Sequence, residues 1–524
     1  MKKNILSVAI AAVSLAGMSQ GAFALAPTTA PDIEIFMSGA SAQDKAIAAL
    51  FSDLCDAGTL DVFKDMNKAG SEGKDHSAYF CTLNSTNVPG LTINGTSVTS
   101  ANVLLHKRSA GGSAQGVNPL IDGTAIAAMS INNGNCTQQG VTNVWFCNAT
   151  GANLTNVVSD AGISDVEPTL FTGPNKPSNA SAVNPAAASA ALTVLPAAAL
   201  VFGVPVSDNL YVALQKAQGL LDAPVSCAPL DNHDACMPSL TKEQVATLIS
   251  GQIKKWNEFK VNGTALTSLT AGLTYDSGDG VVRNVSTTDT KVHYCKRIDG
   301  SGTGAQQYAK FLNNPCSTAG LTPDWAGSSL AGPVKHEVSG SGDMELCLED
   351  FADGETNAKQ HTPSLGVPDQ FTTAVNTANN RGWAIGMQSM ENNTTHAKHY
   401  RFIKVDGAAP TLENAFRGKY LDWVEQTYQY RKVISQDKIT VIEKIANSAG
   451  SPSTIDALLT FPYDFGDSGY LAIGKNYPTY KSTLADTITA LGGPVMPYSH
   501  AVAGSLNNCQ TPVIPSSTNT DKPL

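Results

Sequence analysis

The chain has 524 residues, a formal net charge of −10 and only 15% charged side chains. At roughly 150 residues per domain, that length allows two or three domains with sizeable cores. The acidic balance makes nucleic acid a poor partner. An anion stays admissible as a ligand where backbone N–H groups and one or two arginines, rather than net field, supply the attraction.

In chain order, Lys2 and Lys3 precede an apolar run from Ile5 to Gly17, and the small-residue site Ala22-Phe23-Ala24 follows. Residues 1–24 therefore read as an export signal, too short to cross a bilayer, which needs roughly 20 apolar residues. The best later rival, Ala186 to Val204, is interrupted by Pro196. No transmembrane segment is expected in the mature chain, and the location reads as periplasmic or secreted. Ile33 to Met37 has strand character and runs through Ser38-Gly39-Ala40-Ser41-Ala42 into a helical pattern from Gln43 to Leu54. A second strand, Val103 to Arg108, turns at Ser109 to Gly116. A third, Lys291 to Arg297, turns at Asp299-Gly300-Ser301-Gly302-Thr303-Gly304 into a helix from Ala305 to Leu312. This alternation predicts open α/β sheets, whose ligands sit beyond strand ends where helix N-termini converge. Asn132 to Gly151 and Gly263 to Asp289 read as surface hairpins or loops. The Pro-, Ser- and Thr-rich tail, 515–524, reads as disordered.

Ten cysteines in an exported chain argue for disulfides. Close spacing pairs Cys136 with Cys147 and Cys227 with Cys236, and Cys55 with Cys81 next. Cys295, Cys316, Cys347 and Cys509 share two more bridges of open pairing. No CxxC pair or tight His/Cys cluster suggests a metal, and no cofactor is expected. The pair His396 and His399 has metal-compatible helical spacing but no third ligand nearby, so it reads as surface histidines.

The three turns share one chemistry. A desolvated tetrahedral oxyanion needs many short donors, which Ser and Thr hydroxyls and helix-start N–H groups provide. Ser41, Ser109 with Ser113, and Ser301 with Thr303 supply them, and Arg297 adds a charge-assisted contact.

Arg297-Ile298-Asp299-Gly300-Ser301-Gly302-Thr303 closely resembles the R-x-D-G-S-G-T signature of the periplasmic phosphate-binding proteins that serve ABC transporters. Six further stretches match that family in order. Ser38 to Ala42 is similar to its first turn, although Ala42 replaces the usual aromatic, and Ser109 to Gly116 is similar to its second. Ser159-Asp160-Ala161-Gly162-Ile163-Ser164 resembles its S-D-x-x-[LM]-[ST] segment. Leu240 through Asn257, Gly340 to Glu345 and Gly382 to Gly386 look like later segments. The resemblance spans Ile33 to Arg431; the chain departs from the family in its length, its insertions and its extension after Arg431.

The resemblance implies a two-lobe, type II periplasmic-binding-protein-like α/β fold with insertions and a C-terminal extension. Lobe I would comprise 25–208 and 396–514 and lobe II 209–395, with crossings near Val206 to Tyr211 and Asn392 to Tyr400. It implies a monomer that binds inorganic phosphate or a related oxyanion, with an ABC permease as partner. The ligand set it implies is Ser41, the Ala42 N–H, Ser109 and Asp160 from one side and Arg297, Ser301, Gly302 and Thr303 from the other. Asp160 would accept a hydrogen bond from the proton that phosphate carries and sulfate lacks; the plainer reading of Asp160 is a helix cap. No catalytic residue is expected: a secreted phosphatase-like hydrolase is the rival enzyme reading, but the chain offers neither a G-x-S-x-G elbow on a strand-to-helix turn nor an HExxH. An adhesive or matrix protein that keeps the fold is the other alternative, since fold alone does not fix function.

Overall fold

The computed structural model describes residues 25–66, 72–140, 142–323, 333–354, 362–363, 381–393, 395–458, 469–473, 483–501 and 506–514. The expected leader, 1–24, and tail, 515–524, lie outside the described residues.

The architecture is mixed α/β, as the alternating pattern predicts, and is built on two sheet regions. In the first, the strands Ile33–Gly39, Ser100–Arg108 and Ala161–Ser164 run parallel, with Ile33–Gly39 in the middle. Their register pairs Ile35 with Leu105 and Met37 with both Lys107 and Ala161. Trp423–Arg431 continues the sheet antiparallel to Ala161–Ser164, and His76–Asn84 covers the other flank. In the second region, Val292–Arg297 lies parallel to Val334–Val338 on one side and to Trp383–Ile385 on the other. Parallel strands buried on both faces need near-continuous apolar sequence, and Val103, Leu105, Val292, Tyr294 and Ile385 are all buried.

One strand belongs to both regions. Leu192–Ser207 is 16 residues long. Its first part pairs with Trp423–Arg431 and its last part with Tyr400–Val405, with a register break between Pro196 and Ala199. The passage between the two regions is thus made inside a strand, ahead of the expected crossing at Val206 to Tyr211. Tyr400–Val405 pairs with Val204 to Ser207 and with Ser239–Leu240, so it sides with the second region, although the expected boundary assigns it to the first lobe. The Ala-rich run Ala186 to Val204 divides between the end of a short helix, Pro185–Ala191, and this strand, which is buried from Ala197 onward.

The Asn132 to Gly151 insertion forms the expected hairpin, Cys136–Gln138 with Val144–Cys147, but its second strand also adds to the first sheet beside Asp61–Asp65. All ten cysteines are bridged: Cys55–Cys81, Cys136–Cys147 and Cys227–Cys236 as spacing suggests, then Cys295–Cys347 and Cys316–Cys509. No helix among the described residues is long and apolar enough to cross a membrane.

Candidate functional site

The C-terminal ends of the parallel strands in both regions open onto one crevice. The chain leaves the first sheet at Gly39, Arg108 and Ser164 and delivers Ser41, Ser113 and Asp165 there. It leaves the second at Arg297 and Val338 and delivers the helices Gly302–Leu312 and Ser341–Asp353 by their N-termini. A helix N-terminus presents unpaired N–H groups and a positive dipole end, a ready environment for negative charge.

Arg297 is the centre of the crevice. Its guanidinium is buried, and it donates to Ser41 Oγ at 3.3 Å, to Thr303 Oγ1 at 3.2 Å and to the Ser339 carbonyl at 2.9 Å. Thr303 Oγ1 donates in turn to Asp165 Oδ2 at 3.2 Å. The Asp165 N–H donates to Ser113 Oγ at 3.3 Å, and Ser41 Oγ lies 3.4 Å from Ser341 Oγ. Groups from five distant stretches of sequence thus meet, and the contacts longer than 3.1 Å are weak enough to exchange for a ligand's oxygens. Two further bonds clasp the regions at this end: Ala114 N–H to the Gly300 carbonyl at 2.8 Å and Gly300 N–H to the Asn175 carbonyl at 3.1 Å. Gly302 has to be glycine, because a Cβ there would run into Ser113 Oγ and the Asp165 side chain.

Burial raises the Asp165 carboxyl above the ordinary range; Arg297, then the Thr303 and Ser113 hydroxyls and Lys107, pull the other way. The Ser113 hydroxyl lies close enough to favour the charged form, yet Asp165 Oδ1 is buried with no hydrogen-bond partner of proper geometry among the described residues. An acceptor in that state costs about 1–3 kcal/mol until a donor reaches it. Burial likewise lowers the Arg297 pKa, opposed by Asp165, Asp343, Asp44 and Glu391, so four carboxylates surround this one guanidinium. Lys107, also buried, pairs with Asp44 at 3.1 Å and donates to Ser109 Oγ at 2.7 Å.

Of the residues expected from sequence, Ser41, Arg297, Gly302 and Thr303 come together here. Ala42 follows Ser41, and its carbonyl is taken by the Tyr470 hydroxyl at 2.8 Å. Ser301 caps its helix by accepting from Gly304 N–H at 3.3 Å, the local role its position favours. Ser109 stands beside the crevice and donates to Asp44 Oδ1 at 2.6 Å. Asp160 is elsewhere. It precedes the strand Ala161–Ser164 whereas the crevice follows it, and at about 3.3 Å per residue the strand separates the two by more than 10 Å. Its carboxylate accepts from Phe36 N–H at 2.9 Å and pairs with Lys438 at 2.9 Å. The residue missed is Asp165, and the signal for it is a second Ser-Asp pair, Ser164-Asp165, closing a buried strand. His396 and His399 do not share a helix face: His399 Nδ1 is 2.7 Å from Asp353, while His396 meets Asn232.

No family model matches the chain, and no curated protein matches it. Among solved structures, the chain is similar to a phosphate ABC transporter substrate-binding protein with bound phosphate from Clostridium perfringens, at 13% identity and a TM-score of 0.37, covering 79% of this chain and 92% of that one. It is similar to an ABC-type phosphate transport receptor from Vibrio cholerae at 12% identity and a TM-score of 0.35, covering 81% and 97%. A phosphate-binding protein from Stenotrophomonas maltophilia gives 12% identity and a TM-score of 0.33, covering 82% and 90%.

Proposed function

We propose that the chain is an exported solute-binding protein that takes up inorganic phosphate, or another oxyanion that keeps a proton at neutral pH, in the crevice around Arg297, and delivers it to an ABC permease. The observation that carries the reading is a buried guanidinium beside a buried carboxylate, one oxygen of which has no hydrogen-bond partner of proper geometry among the described residues. Arg297, the Ser41, Ser113 and Thr303 hydroxyls and the N–H groups of Ala42 and Gly302 would bond the oxyanion's bare oxygens. Asp165 Oδ1 would accept its proton. A fully deprotonated anion would set its own lone pairs against that oxygen, a mismatch of several kcal/mol in a dry site, or a thousandfold and more in affinity. Because ligand contacts come from both sheet regions, binding favours the clasped arrangement over an open one by differential affinity.

Calorimetry on the mature protein tests this. Phosphate is expected to bind at submicromolar concentration and to survive a large excess of sulfate. Absence of heat with phosphate, together with no competition among phosphate, arsenate, sulfate and molybdate, overturns the proposal.

A further inference from the structure

A second cavity, of about 240 Å³, lies between the C-terminal half of the helix Gly302–Leu312, the turn Lys419 to Asp422 and the segment Asn508 to Pro512. It shares no lining residue with the crevice. Its last wall is fixed in place, because Cys509 is bridged to Cys316 just beyond the helix and Asn508 N–H donates to Glu167 at 3.0 Å.

Three ammonium groups line this cavity: Lys242, Lys310 and Lys419. Lys310 bonds to His500 Nε2 at 3.0 Å and feels the charges of Asp422, Glu167 and Glu425, while none of the three lies within ion-pair distance of a carboxylate among the described residues. Asp406 on the rim is engaged by the Lys242 backbone N–H at 2.9 Å. Two buried side chains on the wall are incompletely bonded. Asp422 accepts from Gln306 through Oδ1, and among the described residues neither its Oδ2 nor the Tyr420 hydroxyl has a hydrogen-bond partner. Phe311, Val405 and Leu421 supply hydrocarbon.

We propose that this cavity is a second ligand site, for a small organic anion that carries hydroxyls beside its acidic group. Three lysines outnumber the two lining aspartates, Asp406 and Asp422, which favours an anion over a cation. An oxygen and a hydroxyl left without partners at the wall require donors and acceptors from the ligand, which an unsubstituted fatty acid lacks. Apolar walls and a volume near the lower end of small-molecule pockets call for a short carbon skeleton rather than an inorganic ion. Burial raises Asp422 to about 7 and lowers Lys310 to about 8, so at neutral pH the aspartate is balanced between donating to a ligand oxygen and accepting from a ligand hydroxyl.

Gluconate and hexanoate separate the requirements, since they share charge and chain length and differ in hydroxyls. Titration of the full mature chain, in saturating phosphate, is expected to give millimolar or tighter gluconate binding, with hexanoate weaker by about 100-fold. Lys242→Gln and Lys419→Gln, both exposed positions that leave the core intact, should each weaken gluconate by about fivefold. Arg297→Met should leave gluconate binding in place, which separates failure of this site from failure of the crevice. No binding at millimolar gluconate, equal binding of hexanoate, indifference to both lysine changes, or displacement of gluconate by phosphate each overturns the proposal.

Discussion

Two Ser-Asp pairs bracket one four-residue strand, Ser159-Asp160 before Ala161–Ser164 and Ser164-Asp165 at its end, and the same dipeptide meets opposite fates. Asp160 finds a lysine and a backbone N–H, so its charge is fully answered on the outer rim of the sheet. Asp165 is buried among hydroxyls, and one of its oxygens has no hydrogen-bond partner of proper geometry among the described residues. The difference is set by strand direction. In a parallel sheet the N-terminal rim is a structural edge, while the C-terminal rim gathers helix N-termini and ligands. Chemistry carried by a residue type is therefore decided by which end of the strand it occupies.

The largest expected effect comes from removing the cation on which the inner aspartate leans. Arg297→Met should weaken phosphate by about 1,000-fold or more, in line with the roughly 2–5 kcal/mol of binding lost when one partner of a buried, hydrogen-bonded charge pair is truncated, as read by calorimetry. Next, Asp165→Asn should cost about 100-fold in phosphate affinity and admit sulfate, whereas Asp160→Asn should stay within about twofold of the parent. An exchange of these two outcomes would break the comparison outright. A third contrast concerns stability. The Asp165 carboxyl titrates above its ordinary range in the folded chain, so as pH rises the unfolded chain ionises first and ligand-free stability falls between the ordinary and the raised pKa. Asp165→Asn should flatten that fall; Asp160→Asn should keep it and lose about 1 kcal/mol by giving up a charge-assisted bond and a partly exposed ion pair. Urea midpoints across pH 4 to 7 read both. The smallest effect is ionic. Four carboxylates around Arg297 repel an incoming anion at long range while short hydrogen bonds hold it, so raising salt should leave phosphate affinity level or slightly tighter, the reverse of an ordinary anion site.

Much of the scaffold was legible because its signals are local. A strand, a turn of Gly and Ser, and a helix start leave their marks within a dozen residues, and Ser38 to Ala42, Ser109 to Gly116 and Arg297 to Thr303 all read as such. The three bridges of short separation could be paired for the same reason. Cys295–Cys347 and Cys316–Cys509, separated by 52 and 193 residues, depend on how distant elements pack and leave no local trace. Asp165 escaped for a subtler reason. Ala161-Gly162-Ile163-Ser164 has one large apolar residue, so neither the strand's ends nor its direction stand out, and the aspartate ahead of it draws attention first. Placing the strand correctly would have been enough to prefer the residue behind it.

The strand Leu192–Ser207 carries a mechanical consequence. A flexible linker would let one half of the molecule swing freely, but a continuous ribbon hydrogen-bonded into both sheets works as a torsion bar, resisting bending and storing twist. Its weakest cross-section is the offset between Pro196 and Ala199, where the ladder is already interrupted. Opening the crevice should therefore be a small rotation wound up at that point, with an elastic return that brings Ser41 and Arg297 back into contact.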